Sequence, residues 1–292
     1  MRLATATGEV AVGSRNSSVL TGWAGGLAEQ ENGPGAALTI VPIGTGMDAN
    51  NFVIQTDSVA NVVQVSILLS GHAPMTLGGP GNPSVMVDDD RFGAANASVA
   101  MVNANLLRDA NGNLPAALNL PNGQPIPNYQ YLQWGFLFGD TAGTAGTNLE
   151  HLNLGTWIAG RPADPNQIPA TGSASYTGHA IGNVASGGAL YTAVGSYDNT
   201  WNFAQRAGTV NLNFDGAQYS GTTQLGTGVA FTGSVGAPSA NRTGSLVGGF
   251  VQAPAGSPVA TPPPAVAGRF VIQETGGSPY RASGTFGAER YK

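Results

Sequence analysis

Apolar and polar positions alternate with a period of two along much of the C-terminal half of the chain. In 208–215, Val210, Leu212 and Phe214 share one side, while Thr209, Asn211, Asn213 and Asp215 share the other. In 279–287, Tyr280, Ala282, Gly284 and Phe286 oppose Arg281, Ser283 and Thr285. In 266–274, Phe270 and Ile272 oppose Arg269, Val271 and Gln273. This is the period of a strand with one dry and one wet face. The pattern predicts strands near 173–184, 189–197, 200–206, 208–215, 217–225, 228–235, 243–252, 266–274 and 279–287, joined mostly by short turns. Asp215-Gly216 signals a two-residue hairpin, because both central positions of that turn need a positive φ; Asp198-Asn199 is a weaker signal of the same kind. Two tryptophan-bearing strands precede this series, Tyr131–Phe138 and Leu154–Ala159, and a Pro-rich loop follows them over 160–172.

The first part of the chain is patterned less regularly. Residues 1–30 are polar and Gly-rich and predict an irregular lead-in. Strands are predicted at Ala37–Pro42, Asn51–Thr56, Val62–Ser70 and Ser98–Leu107, the last turning strand or helical near Asn103–Arg108. Gly78–Pro83 is a turn cluster, and 109–130 is a long Asn/Pro/Gly-rich connection. The chain therefore divides into a lead-in (1–30), a β-rich N-terminal region (31–130) and an aromatic-rich C-terminal region (131–292).

A short unit recurs in the last region: Tyr176-Thr177-Gly178, Tyr219-Ser220-Gly221 and Phe231-Thr232-Gly233. The aromatic and the glycine share a face, and Leu246, Gly248 and Phe250 repeat that mixture. A small closed barrel needs it, because a ring filled by aromatics alone would be overfull. Glycine also lets each strand bend as the sheet closes. The predicted fold class is all-β: an antiparallel closed barrel of about eight strands, preceded by a smaller, handle-like β-rich region.

Composition sharpens the picture in three places. The chain has 292 residues, 44 of them glycine, and only 9% are charged, well below the usual quarter or so. The net charge is −5, and Lys292 is the single lysine, so no basic stripe exists to neutralise phosphates and nucleic-acid binding is not expected. Cysteine is absent, which excludes disulfides, thiolate metal sites and Cys nucleophiles. Met1–Gly8 shows neither an apolar signal region nor a cysteine for lipidation. An export signal outside this chain, another export route and an internal location all remain open on that ground.

Candidate chemistry is sparse. His72, His151 and His179 stand in no metal-ligand spacing. His179 falls on the wet face opposite Tyr176 and Gly178, where a solvated surface histidine is favoured over an axial haem ligand. Asp88-Asp89-Asp90 could hold Ca²⁺ if a loop bent the three together, but a solvated turn is the simpler expectation. Asp109-x-Asn111-x-Asn113 copies the start of an EF-hand loop without its later glycine and acid, and reads as a turn. Trp23, Trp134, Trp157 and Trp201 could stack on sugars or haem; packing in the core is the default. No Gly-x-Ser-x-Gly elbow or P-loop occurs, and no interior lysine exists for a Schiff base. No catalytic or metal-ligating residue and no cofactor is assigned.

Several of these runs resemble the barrel domain of transferrin-binding protein B-like bacterial surface proteins. They are Tyr131-Leu132-Gln133-Trp134-Gly135, Trp157-Ile158-Ala159-Gly160-Arg161-Pro162, Gly172 through Ala180, Asn213-Phe214-Asp215-Gly216, and Tyr280 through Ala288 with its Gly-x-Phe-Gly-Ala ending. The resemblance spans about 131–292. Such barrels also occur at the ends of longer bacterial proteins, some with a FecR-type domain. It implies a non-catalytic, surface-exposed or secreted binding module, associated with the bacterial outer membrane or a larger polypeptide. Its partner would be a host protein, an iron source, haem or another small ligand, held through barrel loops. The contact segments expected are 141–150, 160–172, 236–242 and 253–265. A transmembrane outer-membrane barrel and a carbohydrate-active enzyme are the alternatives.

Overall fold

A computed structural model describes residues 2–5, 8–11, 18–33, 37–88, 90–142, 149–253, 261–276 and 279–290. Strands β1 (Arg2–Thr5) and β2 (Gly8–Ala11) form a two-stranded antiparallel sheet. The first large sheet contains β3 (Ser18–Gln30), β4 (Thr39–Gly44), β5 (Phe52–Asp57), β6 (Val62–Ile67), β7 (Met75–Gly78), β8 (Ser84–Asp88), β9 (Arg91–Ala95), β10 (Val99–Asn103), β11 (Leu132–Ala142) and β12 (Leu149–Pro162). The second contains β13 (Ser173–Ser186), β14 (Ala189–Asn202), β15 (Ala207–Phe214), β16 (Ala217–Leu225), β17 (Ala230–Ala237), β18 (Arg242–Gln252), β19 (Ala265–Glu274) and β20 (Arg281–Arg290).

The second sheet is a closed ring. Each strand from β13 to β20 pairs antiparallel with the next. β20 returns to β13 in register from Tyr176↔Arg290 to Ala185↔Arg281. Closure leaves the ring no open edge to pair with another chain. Its interior holds Tyr176, Tyr197, Trp201, Phe214, Tyr219, Phe231, Phe250, Phe270 and Phe286, all buried. Glycines on neighbouring strands face several of these rings: Phe231 opposes Gly248, Phe286 opposes Gly268, and Trp201 opposes Gly208. The exposed outer positions are polar, among them Thr177, Thr209, Asn211, Gln218, Ser234 and Thr243. A lipid-spanning barrel needs the reverse, an apolar belt outside.

The expectation that the barrel starts at Tyr131 differs from the pairing. β11 and β12 join the first sheet, whose order runs β8-β9-β10-β11-β12-β3; β3 then pairs β4 along Gly25–Gln30 and β5 along Ser18–Thr21, and β6 and β7 follow β5. This handle sheet curls around Trp157, which stacks between Phe52 (5.7 Å) and Phe92 (6.0 Å). The lead-in also differs: residues 18–30 form the longest strand before β12. Its alternation is hidden because both faces are dry. Leu20, Ala24 and Ala28 face the handle core, while Trp23 faces the barrel wall.

That contact overturns another expectation. Ser283 and Thr285, read as wet-face residues, are fully buried. The handle covers this part of the barrel wall, and Thr285 Oγ1 lies 3.0 Å from Thr156 Oγ1, which in turn donates to the carbonyl of Ile181. Asp215-Gly216 forms the predicted hairpin, with φ of 49° and 71°. Asp198-Asn199 does not turn; β14 runs straight through it. Asp198 accepts from Thr177 Oγ1 on the outside, and Asn199 donates to Tyr197 and Thr223 within.

Candidate functional site

Most of the polar candidates named from the sequence are spent internally. His72 is buried, with Nε2 2.7 Å from Glu150 Oε2 and Nδ1 3.0 Å from the Ser70 carbonyl; Gln30 fills the other Glu150 oxygen. His179, expected at a wet surface, is fully buried on the outer barrel wall. It is enclosed by Tyr129 and Trp134, with ring centroids 5.4 and 4.8 Å away, and its Nδ1 meets Tyr129 Oη at 2.7 Å. Period two placed it correctly opposite Tyr176; the connection before β11, folded over that wall, keeps it dry. Desolvation pushes its pKa down to about 3, so the ring is neutral; burial under Tyr129 and Trp134 is what closes it to an axial role.

The two acidic runs lie together beside a cleft of about 310 Å³ that also holds Arg91 and Arg108. Asp109 accepts from the backbone amides of Asn111 and Asn113 at 2.9 and 2.8 Å, which makes the motif the turn it was read as. Asp88 accepts from the Asp90 amide, and Asp89 lies outside the described residues. Among the described residues no cluster of three or more His, Asp or Glu side chains could hold a metal. All four tryptophans are core residues, none more than 4% exposed.

A groove of about 970 Å³ lies where the handle meets the barrel. Its floor and rim come from β11, β12 and the start of β14. Sequence reasoning missed it because a register irregularity builds it. Leu137 pairs with Gly155 and Gly139 with Leu152, so Phe138 alone opposes Asn153 and Leu154. Two residues against one is a bulge, and a bulge re-aims side chains. Leu154 sits at φ 52°, a left-handed conformation costly for a leucine, yet it is 47% exposed. Phe138 (39%) and Tyr191 (40%) are exposed beside it. A strained backbone that presents an apolar side chain to water makes this surface the candidate site.

An acidic arc borders these side chains. His151 Nδ1 lies 2.8 Å from Asp140, and its Nε2 lies 3.1 Å from Glu31. Glu29 adjoins, accepting from Asn153 Nδ2 at 2.7 Å.

Several solved structures align with this chain at low identity. A transferrin-binding protein B double mutant from Haemophilus parasuis aligns over 98% of this chain and 79% of its own, at 10% identity and a TM-score of 0.42. HpuA from Kingella denitrificans, in complex with human haemoglobin, aligns over 95% and 88%, at 12% identity and a TM-score of 0.43. The N-lobe of lactoferrin-binding protein B from Moraxella bovis aligns over 56% and 77%, at 14% identity and a TM-score of 0.36. No protein-family model matches the chain, and no curated protein matches it by sequence.

The arc also gives the groove a pH response. The hydrogen bonds that Asp140 and then Glu31 accept from the His151 ring hold its pKa above the ordinary 6.5. A raised pKa in the folded state means that the stabilisation from this cluster is complete below about 6.5 and is lost as pH rises through the folded value. A ¹H–¹⁵N or ¹³C titration is expected to place the His151 midpoint above 6.5, and Asp140→Asn is expected to bring it back toward 6.5. An unchanged midpoint in that variant would remove the electrostatic link between the two residues.

The expected contact segments do not gather at one end. The 160–172 segment and residues 261–265 lie at the end where β12 and β18 finish, and Arg161 and Pro162 pair with Gln252 and Val251 there. Residues 236–242 lie at the opposite end, near the Asp215-Gly216 hairpin. Of 141–150, residues 143–148 lie outside the described residues, as do 254–260 of the last segment. The seam groove is lined by Asp140 and His151, from the described ends of β11 and β12 beside that segment.

Proposed function

We propose that this chain is a non-catalytic binding module of a bacterial cell surface or secreted protein. It holds a protein partner in the groove between handle and barrel. The observation that carries the proposal is the bulge that displays Leu154 in a left-handed conformation beside Phe138 and Tyr191. Exposed aromatic and aliphatic side chains on a rigid sheet supply anchor residues, and their rim sets charge preference. Glu29, Glu31 and Asp140 outweigh one histidine, so a partner segment with an apolar anchor and flanking Lys or Arg fits best. The overall charge of −5 agrees in sign.

The bulge itself offers a clean test. Asparagine tolerates φ 52° better than leucine does. Leu154→Asn is therefore expected to leave stability equal or higher while weakening partner binding about 30-fold, the loss of a strong anchor of about 2 kcal/mol. The purified chain and the variant would be compared on serum proteins, haemin and glycans by surface plasmon resonance. Retention of a protein by the wild type alone supports the groove. Equal retention by both, or retention of no protein by the wild type, contradicts it.

A further inference from the structure

The seam groove has a polar base that its exposed apolar side chains do not account for. Asn183 of β13 and Thr192 of β14 both line the groove and stand directly opposite each other in the ladder. Directly opposed residues share a face of the sheet, with Cβ atoms about 5 Å apart. Asn183 is only 2% exposed, and Thr192 is half-buried beside it.

The Asn183 amide is held in one orientation. Its Oδ1 accepts from the Leu27 amide of β3 at 3.2 Å. The handle backbone closes on that oxygen through glycine. A Cβ on Gly26 would stand 2.9 Å from Asn183 Oδ1 and 2.8 Å from the Cα of Gly155, the residue after Leu154. With the oxygen turned to β3, Nδ2 points away from that strand. Nδ2 has no hydrogen-bond partner among the described residues, and it keeps accessible surface where Asn103 Nδ2 keeps none. Asn183 lines the groove, so that surface opens into it. The Thr192 hydroxyl has no partner among the described residues either. A donor this buried and unpaired costs about 1–3 kcal/mol, which an occupant bringing an acceptor would relieve.

The surroundings narrow the occupant. An amide nitrogen can only donate, and a threonine hydroxyl both donates and accepts. The matching group offers an acceptor with a donor close by, and a main-chain peptide unit carries both. A carboxylate would face Glu29 and Asp140, which line the same groove. A sugar hydroxyl could meet the polar pair but would leave the exposed Leu154 side chain uncovered. A peptide covers it with the apolar side chain next to the bound unit.

We infer that the groove takes its partner as an extended peptide segment. One main-chain carbonyl accepts from Asn183 Nδ2, the neighbouring N–H donates to the Thr192 hydroxyl, and an apolar side chain packs on Leu154 and Phe138. This rests on the groove being a protein-binding site, and adds that main-chain groups are recognised there, with Asn183 fixing the position of the bound segment.

A short peptide with an apolar centre and basic flanks, acetyl-Arg-Leu-Arg-amide, tests the inference on the ¹⁵N-labelled full chain. Saturable shifts are expected at the Asn183 side-chain amide and at the Thr192 and Leu154 backbone amides. Asn183→Asp keeps an acceptor for the Leu27 amide and removes the donor. It is expected to weaken peptide binding about tenfold, the size of one lost hydrogen bond, although its added negative charge alone would favour a basic peptide. Thr192→Val keeps the shape and is expected to weaken binding by a smaller factor. Circular dichroism and the thermal midpoint confirm that each variant is folded; if Asn183→Asp fails to fold, Thr192→Val and the wild-type Asn183 side-chain shift decide. Shifts at Leu154 with the Asn183 side-chain resonance unmoved, or wild-type affinity in folded Asn183→Asp, would overturn main-chain recognition and leave the groove as a protein site. Unmoved groove resonances at millimolar peptide, or saturable groove shifts with methyl glucoside in place of the peptide, would overturn it as well. The groove itself is judged separately, by the Leu154→Asn comparison on serum proteins.

Discussion

Replacing Gly248 with valine is expected to destabilise the barrel by more than about 3 kcal/mol, enough to leave little folded protein. A Cβ at this position would stand 2.5 Å from the Ala267 carbonyl oxygen and 2.7 Å from Phe231 Cζ. Neither neighbour can yield. Ala267 belongs to β19, whose ladder with β18 runs unbroken from Arg242↔Glu274 to Val251↔Ala265. The Phe231 ring is confined by Trp201 at 5.2 Å, Phe250 at 5.9 Å and Phe286 at 6.3 Å. Overpacking a filled core costs about 1–3 kcal/mol when side chains can shift, and more when backbone must. Gly226→Ala is the control, because the nearest atom to its added Cβ is the Ala230 carbonyl at 3.4 Å and the site is exposed. It is expected to change stability by less than about 1 kcal/mol. Urea denaturation of the two variants reads the difference. Similar midpoints would mean that the glycine is not required by the ring it faces.

Phe250→Ala is expected to cost about 3–5 kcal/mol, the range for deleting a buried phenylalanine and leaving a cavity. Phe250 is 1% exposed and meets four other rings: Trp201 at 5.1 Å, and Tyr176, Phe203 and Phe231 each at 5.9 Å. No neighbouring strand can collapse into the gap without breaking a closed ladder, so relaxation is small. Phe250→Leu keeps most of the volume and is expected to cost under about 1.5 kcal/mol. Tyr191→Ala, at the seam groove, removes a hydroxyl that donates to Asp215 and is expected to cost about 1 kcal/mol. The same denaturation series measures all three. A loss for Phe250→Ala no larger than that for Tyr191→Ala would contradict an aromatic-filled interior.

Where one face of a strand meets water, the barrel was legible in the sequence. Val210, Leu212 and Phe214 point inward while Thr209 and Asn211 are exposed, as their alternation predicts. Asp215-Gly216 turns where its composition says it should. Legibility fails where both faces are dry. β3 carries Gly22, Gly25 and Gly26 among small residues because it is pressed between the handle core and the barrel wall, and that composition imitates a loop. Ser283, Thr285 and His179 sit on the outer wall as their period indicates, but the outer wall is partly covered, and no local pattern reports a covering segment from elsewhere in the chain.

The candidate sites were less legible than the fold. The seam groove depends on an extra residue in β12, and Asn153-Leu154-Gly155 carries no mark that leucine, and not asparagine or glycine, takes the left-handed position. What the sequence did offer proved largely structural: His72 and His179 are buried in hydrogen bonds and Asp109 closes an exposed turn, which leaves His151 at the groove.

The most direct test of ring closure is the set of cross-strand contacts between β13 and β20 in solution. Nuclear Overhauser effects between backbone protons of Tyr176 and Arg290, Ala180 and Phe286, and Val184 and Ala282 are predicted, with slowly exchanging amides along both strands. Absence of these contacts, with fast exchange along the facing edges of β13 and β20, would show an open sheet and contradict the barrel.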